Sequence, residues 1–209
     1  KSTGVSKFDD MNHMSRDFNT VILASGLSER MGEPKALLRY DQSATFLEKI
    51  IREYLLAGSD SVVCMINSAI ESFCNNMEVP LNVRFVVNNH PEWGRFFSIR
   101  KGLEEIRDSN YCFIQNVDNP SVTCRLIENL LEKRDPDAWC SPVYRGKGGH
   151  PVLLPVKIIN EIIRIDDPEV VLSDMLKHYT RIMVETEDEN VLRNINSPED
   201  YTNYISRRG

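Results

Sequence analysis

Thr20-Val21-Ile22-Leu23-Ala24-Ser25-Gly26-Leu27-Ser28-Glu29-Arg30-Met31-Gly32 changes character part-way along, and that change decides the fold. Its first five residues form a short apolar run without polar alternation, the pattern of a strand covered on both faces. From Ser25 the chain turns small, polar and glycine-bearing, so the strand feeds a loop that runs on to Pro34. Further apolar runs at 61–66, 83–87 and 111–117 read as buried strands. Between them, residues 45–56 place Phe46, Ile50, Ile51, Tyr54 and Leu55 at helical spacing with Gly58 as a stop, and 97–106 and 122–131 also read as helices. Strands alternating with helices make βαβ units, hence an α/β fold with a mostly parallel sheet and helices on both faces. Ligands of such sheets sit beyond the carboxyl ends of the strands, where the quoted loop must stand.

The second half is less regular. Residues 138–144 and 152–154 read as strands with a flexible loop at 146–149 between them, 156–163 and 169–178 as helices, and 181–185 as a strand. A last helix opens at Ser197-Pro198, serine capping it and proline occupying its first turn. Residues 1–19 show no sustained period and are set apart as a flexible arm or tag, leaving 20–209 as one domain.

Bulk properties narrow the function classes. A chain of 209 residues with 41% hydrophobic and 27% charged residues suits one globular core. A net charge of −6 argues against a broad basic surface for nucleic acid, so an anionic ligand must be met by local groups. No apolar run approaches the roughly 18 to 20 residues that span a bilayer, and no signal-peptide core is present. The expectation is a cytoplasmic protein with neither nucleic acid nor membrane as partner. The five cysteines, an odd number without a Cys-x-x-Cys pair, point to buried free thiols.

The loop after the first strand gathers Gly26, Ser28, Arg30, Gly32 and Lys35. Glycines let backbone N–H groups approach phosphate oxygens, and the two cations neutralise charge, so the loop reads as a phosphate cradle or as a plain strand-to-helix turn. It matches neither the P-loop nor the dinucleotide fingerprint. Asp118, just past the strand at 111–117, stands on the same sheet edge, either as a Mg²⁺ ligand or as an Asx-turn before Pro120. Asn194 and Asn196, before Ser197, offer neutral oxygens that could complete such a metal site, or serve in turns. His150, in Gly148-Gly149-His150-Pro151, contacts an anionic acceptor or only a neighbouring carbonyl. His13, His90 and His178 receive no role, and Trp93 and Trp139 are read as packing residues.

Taken in order, Leu23 to Gly32 followed by Lys35 and Leu37-Leu38 resembles the opening of the molybdenum-cofactor cytidylyltransferase and guanylyltransferase family. The resemblance continues through Asn89, Trp93, Gly94, Ser98 and Gly102-Leu103, then Asp118 and Pro120, then Gly149-His150-Pro151, and last Asn196-Ser197-Pro198-Glu199-Asp200. It implies a Rossmann-like nucleotide-diphospho-sugar transferase fold with a nucleoside triphosphate bound at Ala24, Ser25, Gly26, Ser28, Asn89, Ser98, Gly102 and His150. Arg30, Lys35 and Asp118 are then the catalytic groups, and Asp118 with Asn196 the Mg²⁺ ligands. A small phosphorylated acceptor such as molybdopterin attacks the α-phosphorus and expels pyrophosphate. Ala24-Ser25 and the Gly-His-Pro triplet favour CTP over GTP.

Two segments depart from the family pattern. The metal turn reads Val117-Asp118-Asn119-Pro120 where relatives usually have Gly-Asp-Gln-Pro or Cys-Asp-Thr-Pro, and Leu172-Ser173-Asp174-Met175-Leu176 stands where relatives carry Gly-Asp-x-Gly-x-Arg. The acceptor half is the less similar one. It leaves open a sugar-phosphate or isoprenoid-precursor nucleotidyltransferase, and a non-catalytic nucleotide-binding cofactor chaperone.

Overall fold

A computed structural model of the chain describes residues 16–106, 110–167 and 169–207. Eight strands form one sheet: β1 (Phe18–Ala24), β2 (Ser61–Ile66), β3 (Val83–Val87), β4 (Tyr111–Asn116), β5 (Ala138–Tyr144), β6 (Lys147–Gly148), β7 (Val152–Pro155) and β8 (Thr180–Glu185). Their order is β3-β2-β1-β4-β7-β5-β6, with β8 also on β5. β3, β2, β1 and β4 are mutually parallel and β8 is parallel to β5, whereas β7 runs antiparallel to both β4 and β5. The sheet is therefore mostly parallel. From β1 the chain adds strands outward to β2 and β3, then returns to place β4 on the other side of β1. This reversal opens a crevice beyond the carboxyl ends of β1 and β4.

Helices cover both faces. α1 (Phe46–Leu56), α4 (Cys124–Glu132) and α7 (Pro198–Ser206) bury Phe46, Ile50, Ile127, Leu130 and Tyr204 with Phe18, Ile22 and Ala24 of β1. On the other face α3 (Gly94–Glu104), α5 (Val156–Arg164) and the short α6 (Leu172–Leu176) pack Phe96, Ile99, Ile158, Ile162 and Leu176 against Val21 and Leu23. Alternate residues of β1 thus face opposite layers, and every one is buried. A five-residue helix, α2 (Glu71–Asn75), follows β2. Helix starts are written in the sequence. Thr45 and Ser197 each form a reciprocal capping box, with Glu48 and Asp200, a device that contributes roughly 1 kcal/mol per cap.

Three expectations need correction. Phe18 and Asn19, assigned to the arm, are fully buried in β1, because the apolar run's first pairing partners, Ser61 and Tyr111, reach back to them. The rest of that arm through residue 15 lies outside the described residues. The segment 146–149 is not a flexible loop: Arg145 and Gly146 both take positive φ, the condition of a two-residue hairpin turn, and Lys147–Gly148 pairs back on Val143 and Tyr144. The helix at 169–178 shrinks to α6, since Val171 is extended (φ −108°, ψ 123°) and Glu169 N–H is taken by the Asp167 carboxylate. All five cysteines are free, four of them buried and Cys124 half-buried. No helix among the described residues is long and apolar enough to cross a membrane.

Candidate active site

The crevice holds a cleft of about 240 Å³ lined by the end of β1 and its loop (Leu23 to Gly26, Ser28), Lys35, the start of α3 (Gly94, Arg95, Ser98) and the end of β4 through Asp118. The loop is shaped by few contacts. Ser28 takes φ +54°, Gly32 φ +78°, and the N–H groups of Met31 and Gly32 both donate to Ser28 O, while the buried Met31 side chain ties the turn to the core. Asn67, at the end of β2, donates to the carbonyls of Ser25 and Gly26. The N–H groups of Gly26, Leu27 and Ser28 have no hydrogen-bond partner among the described residues. A Cβ on Gly26 would meet no protein atom within 4 Å, so internal packing does not demand that glycine. Free N–H groups and an open glycine are what a close-lying phosphate uses.

Behind the loop, Ser25 Oγ lies 3.0 Å from Ser98 Oγ, which accepts from the Asn88 amide at 3.0 Å; Asn88 in turn accepts from His90 N–H. These buried groups lock the first turn of α3 to the β1 loop.

Across the cleft, Lys35 Nζ donates to Asn196 Oδ1 at 2.6 Å and stands 3.7 Å from Asp118 Oδ2. Lys35, Asp118 and Asn196 thus meet, as expected. Asp118 is held by its backbone, whose carbonyl accepts from Ile195 N–H, and by the next residue: Asn119 Nδ2 lies within 3.3 Å of the carbonyls of Asn190, Val191 and Arg193. Asn119 therefore clamps the Asp118 turn to the segment that carries Asn196. Burial raises the Asp118 carboxyl above its ordinary value despite the opposing charges of Lys35 and Arg95, and its Oδ1 is buried without a partner.

His150 adjoins the cleft through Asn116, which lines it. The Asn116 amide donates to its Nε2 at 3.3 Å, which leaves the ring proton on Nδ1, buried and unpartnered. Burial, assisted by the positive charge of Arg95, pushes His150 down to about 4, so the ring is neutral near pH 7. The loop needs Gly149, where a Cβ would come within 2.4 Å of Val191 O.

Other expected site residues stand elsewhere. Arg30 is exposed and does not line the cleft, and Asn89 is exposed while its neighbour Asn88 is the buried one. Gly102 faces the sheet: a Cβ there would be 2.4 Å from Val21 Cγ1, so this glycine brings α3 close to β1 instead of meeting a ligand. Trp93 is 47% exposed and stacks on His90 at 3.9 Å, with Phe97 at its edge, whereas Trp139 is a packing residue whose indole N–H donates to Leu176 O. Arg95 and Asn119 were not singled out by the sequence reading. A signal for Arg95 existed: it follows a helix-opening glycine on the loop that leaves β3 at the same sheet edge. None existed for Asn119, whose partners lie 71 to 74 positions away.

The MobA-like NTP transferase domain profile matches residues 20–182, from β1 through the cleft to β8. The chain belongs to that family, and it is a nucleotidyltransferase. It is 25% identical over 186 residues to the molybdenum cofactor cytidylyltransferase of Escherichia coli (strain K12), covering 87% of this chain and 92% of the relative. It is 26% identical over 196 residues to a probable molybdenum cofactor guanylyltransferase of Bacillus cytotoxicus, covering 89% and 95%. A solved nucleotidyl transferase from Methanothermobacter superposes with a TM-score of 0.75 at 21% identity, over 92% of this chain and 99% of that one. The nucleotide-diphospho-sugar transferase type of fold is the one expected.

Proposed function

We propose that the chain transfers a nucleoside monophosphate, CMP from CTP in preference to GMP from GTP, to a small phosphorylated acceptor such as molybdopterin, with Mg²⁺ and with release of pyrophosphate. One observation carries this reading: Lys35, Asp118 and Asn196, from three distant parts of the chain, converge beside a loop with free N–H groups. The relatives named for cytidylyl and for guanylyl transfer support the acceptor class equally.

Mg²⁺ suits the donor set. Among the described residues no three His, Cys, Asp or Glu side chains gather at a metal-binding spacing. A single carboxylate and an amide oxygen are what a hard cation needs when phosphates and waters complete its shell. The unpartnered Oδ1 of Asp118 is the free position. Asp118 and Asn196 would hold the ion, which when bound neutralises phosphate charge. The chain's own groups do the rest. The β1 loop orients the phosphates through N–H groups, and Lys35 neutralises charge on the leaving pyrophosphate. Arg30 joins by swinging its exposed side chain over the loop. Asn116, bonded to neutral His150, forms a wall for the acceptor. Positioning and charge neutralisation suffice for phosphoryl-type transfer without a side-chain nucleophile.

The test is pyrophosphate release from each NTP with Mg²⁺ and a panel of acceptors including molybdopterin, alongside calorimetric NTP binding. CTP-dependent release is the expected result. No release together with no NTP binding would sink the reading, and tight CTP binding without turnover would favour a nucleotide-binding chaperone.

A further inference from the structure

Two cations line the cleft, Lys35 and Arg95, and they differ in one respect. Lys35 is committed to Asn196 and Asp118. Arg95 makes no hydrogen bond and no ion pair among the described residues. It is carried by a rigid support. Gly94 (φ +83°) turns the chain into α3, and Phe96, Ile99 and Leu103 are buried beneath the sheet, with Gly102 against Val21. Arg95 lines the cleft together with Asp118 and Asn116, and its positive charge is felt by Asp118 and by the adjoining His150.

We propose that Arg95 is a substrate-binding residue of this cleft, its guanidinium holding two oxygens of a phosphate group. The assignment rests on the cleft being the nucleotidyl-transfer site. A guanidinium is a planar fork of N–H donors that matches a tetrahedral phosphate through paired bonds, which an ammonium does not reproduce. Arg95 lines the cleft while remaining exposed, and no protein anion among the described residues is bonded to it, so its fork of donors is open to an incoming phosphate. Arg95 also supplies, on the α3 wall, the second cation that Arg30 does not supply in this structure. The phosphate it holds belongs either to the triphosphate or to the acceptor; both present anionic phosphoryl oxygens.

The test is calorimetry in Mg²⁺ buffer on the full chain, comparing wild type with Arg95→Gln, Arg95→Lys and Arg84→Gln. Arg84 pairs with Glu105 at the surface, outside the cleft, and controls for net charge. The titrants are tripolyphosphate, CTP, GTP, and inorganic phosphate added to CTP-saturated protein. Losing a charge-assisted bond lowers affinity about tenfold or more. Weaker tripolyphosphate and CTP binding in Arg95→Gln, with partial recovery in Arg95→Lys and none of this in Arg84→Gln, supports the assignment and identifies the triphosphate. Unchanged CTP binding with weakened phosphate binding supports it and identifies the acceptor group. Wild-type affinity for every titrant in Arg95→Gln overturns it, as does a wild-type chain that binds none of them. A wild type that binds tripolyphosphate but no NTP defeats the nucleotide reading alone, and Arg95→Gln then decides the assignment by itself.

Discussion

Lys35 Nζ bonds Asn196 Oδ1 at 2.6 Å across 161 positions of sequence while facing Asp118, so the first loop and the approach to α7 share one charge centre. Lys35 holds the amide oxygen and the carboxylate together, and Asp118 keeps one oxygen unpartnered beside it. Lys35→Ala and Asp118→Ala are each expected to lower pyrophosphate release at saturating NTP by at least roughly a hundredfold, the scale of an electrostatic transition-state contact. Activity retained in Asp118→Ala would reject its metal role.

Asn119 offers a second test. Its amide nitrogen ties the Asp118 turn to Asn190, Val191 and Arg193, so Asn119→Ala takes the side-chain donor from Arg193 O and a second donor from Asn190 O and Val191 O. A loss of about 1–3 kcal/mol in urea unfolding is expected, with faster amide exchange in 190–196. Unchanged exchange there would show that the clamp does not hold the segment.

The expectations that held are those written in local pattern. β2, β3 and β5 were legible to the residue, because buried strands read as apolar runs between turn signals. The position of Asp118 on the sheet edge that carries the β1 loop was legible from its place just past a strand. What the pattern does not carry is where a side chain points after folding. Arg30 and Gly102 lie on the right elements but face solvent and sheet, respectively. The Asn119 side chain acquires its partners only from a segment 71 to 74 positions away. The hairpin at Arg145-Gly146 is a further case, since Arg145 adopts positive φ with only the following glycine to announce it.

Gly102 separates packing from ligand contact. Gly102→Ala forces a methyl group to within 2.4 Å of Val21 and 3.2 Å of Met65 Cγ, an overpacking expected to cost about 1–3 kcal/mol. Thermal melts should show a lower Tm, whereas the KM for NTP of the folded fraction stays near the wild-type value. A raised KM with an unchanged Tm would return Gly102 to the nucleotide site.

His150 gives the pH dependence. Its folded-state pKa, pushed down to about 4 by burial and by the charge of Arg95, lies below the ordinary value near 6.5, so the unfolded chain binds the proton first as pH falls. The stability associated with the neutral ring is fully present above pH 6.5 and is lost progressively as the pH drops toward 4. The full amplitude is at most about 3.4 kcal/mol, at 1.36 kcal/mol per pK unit. Urea unfolding from pH 7.5 to 4 should therefore fall more steeply for the wild type than for His150→Gln, in which Asp118 and the other carboxylates titrate alike and cancel in the difference. Parallel curves, or an imidazole that titrates by NMR near 6.5, would show that water and protons reach the ring, and that His150 is not a neutral ring beside this cleft.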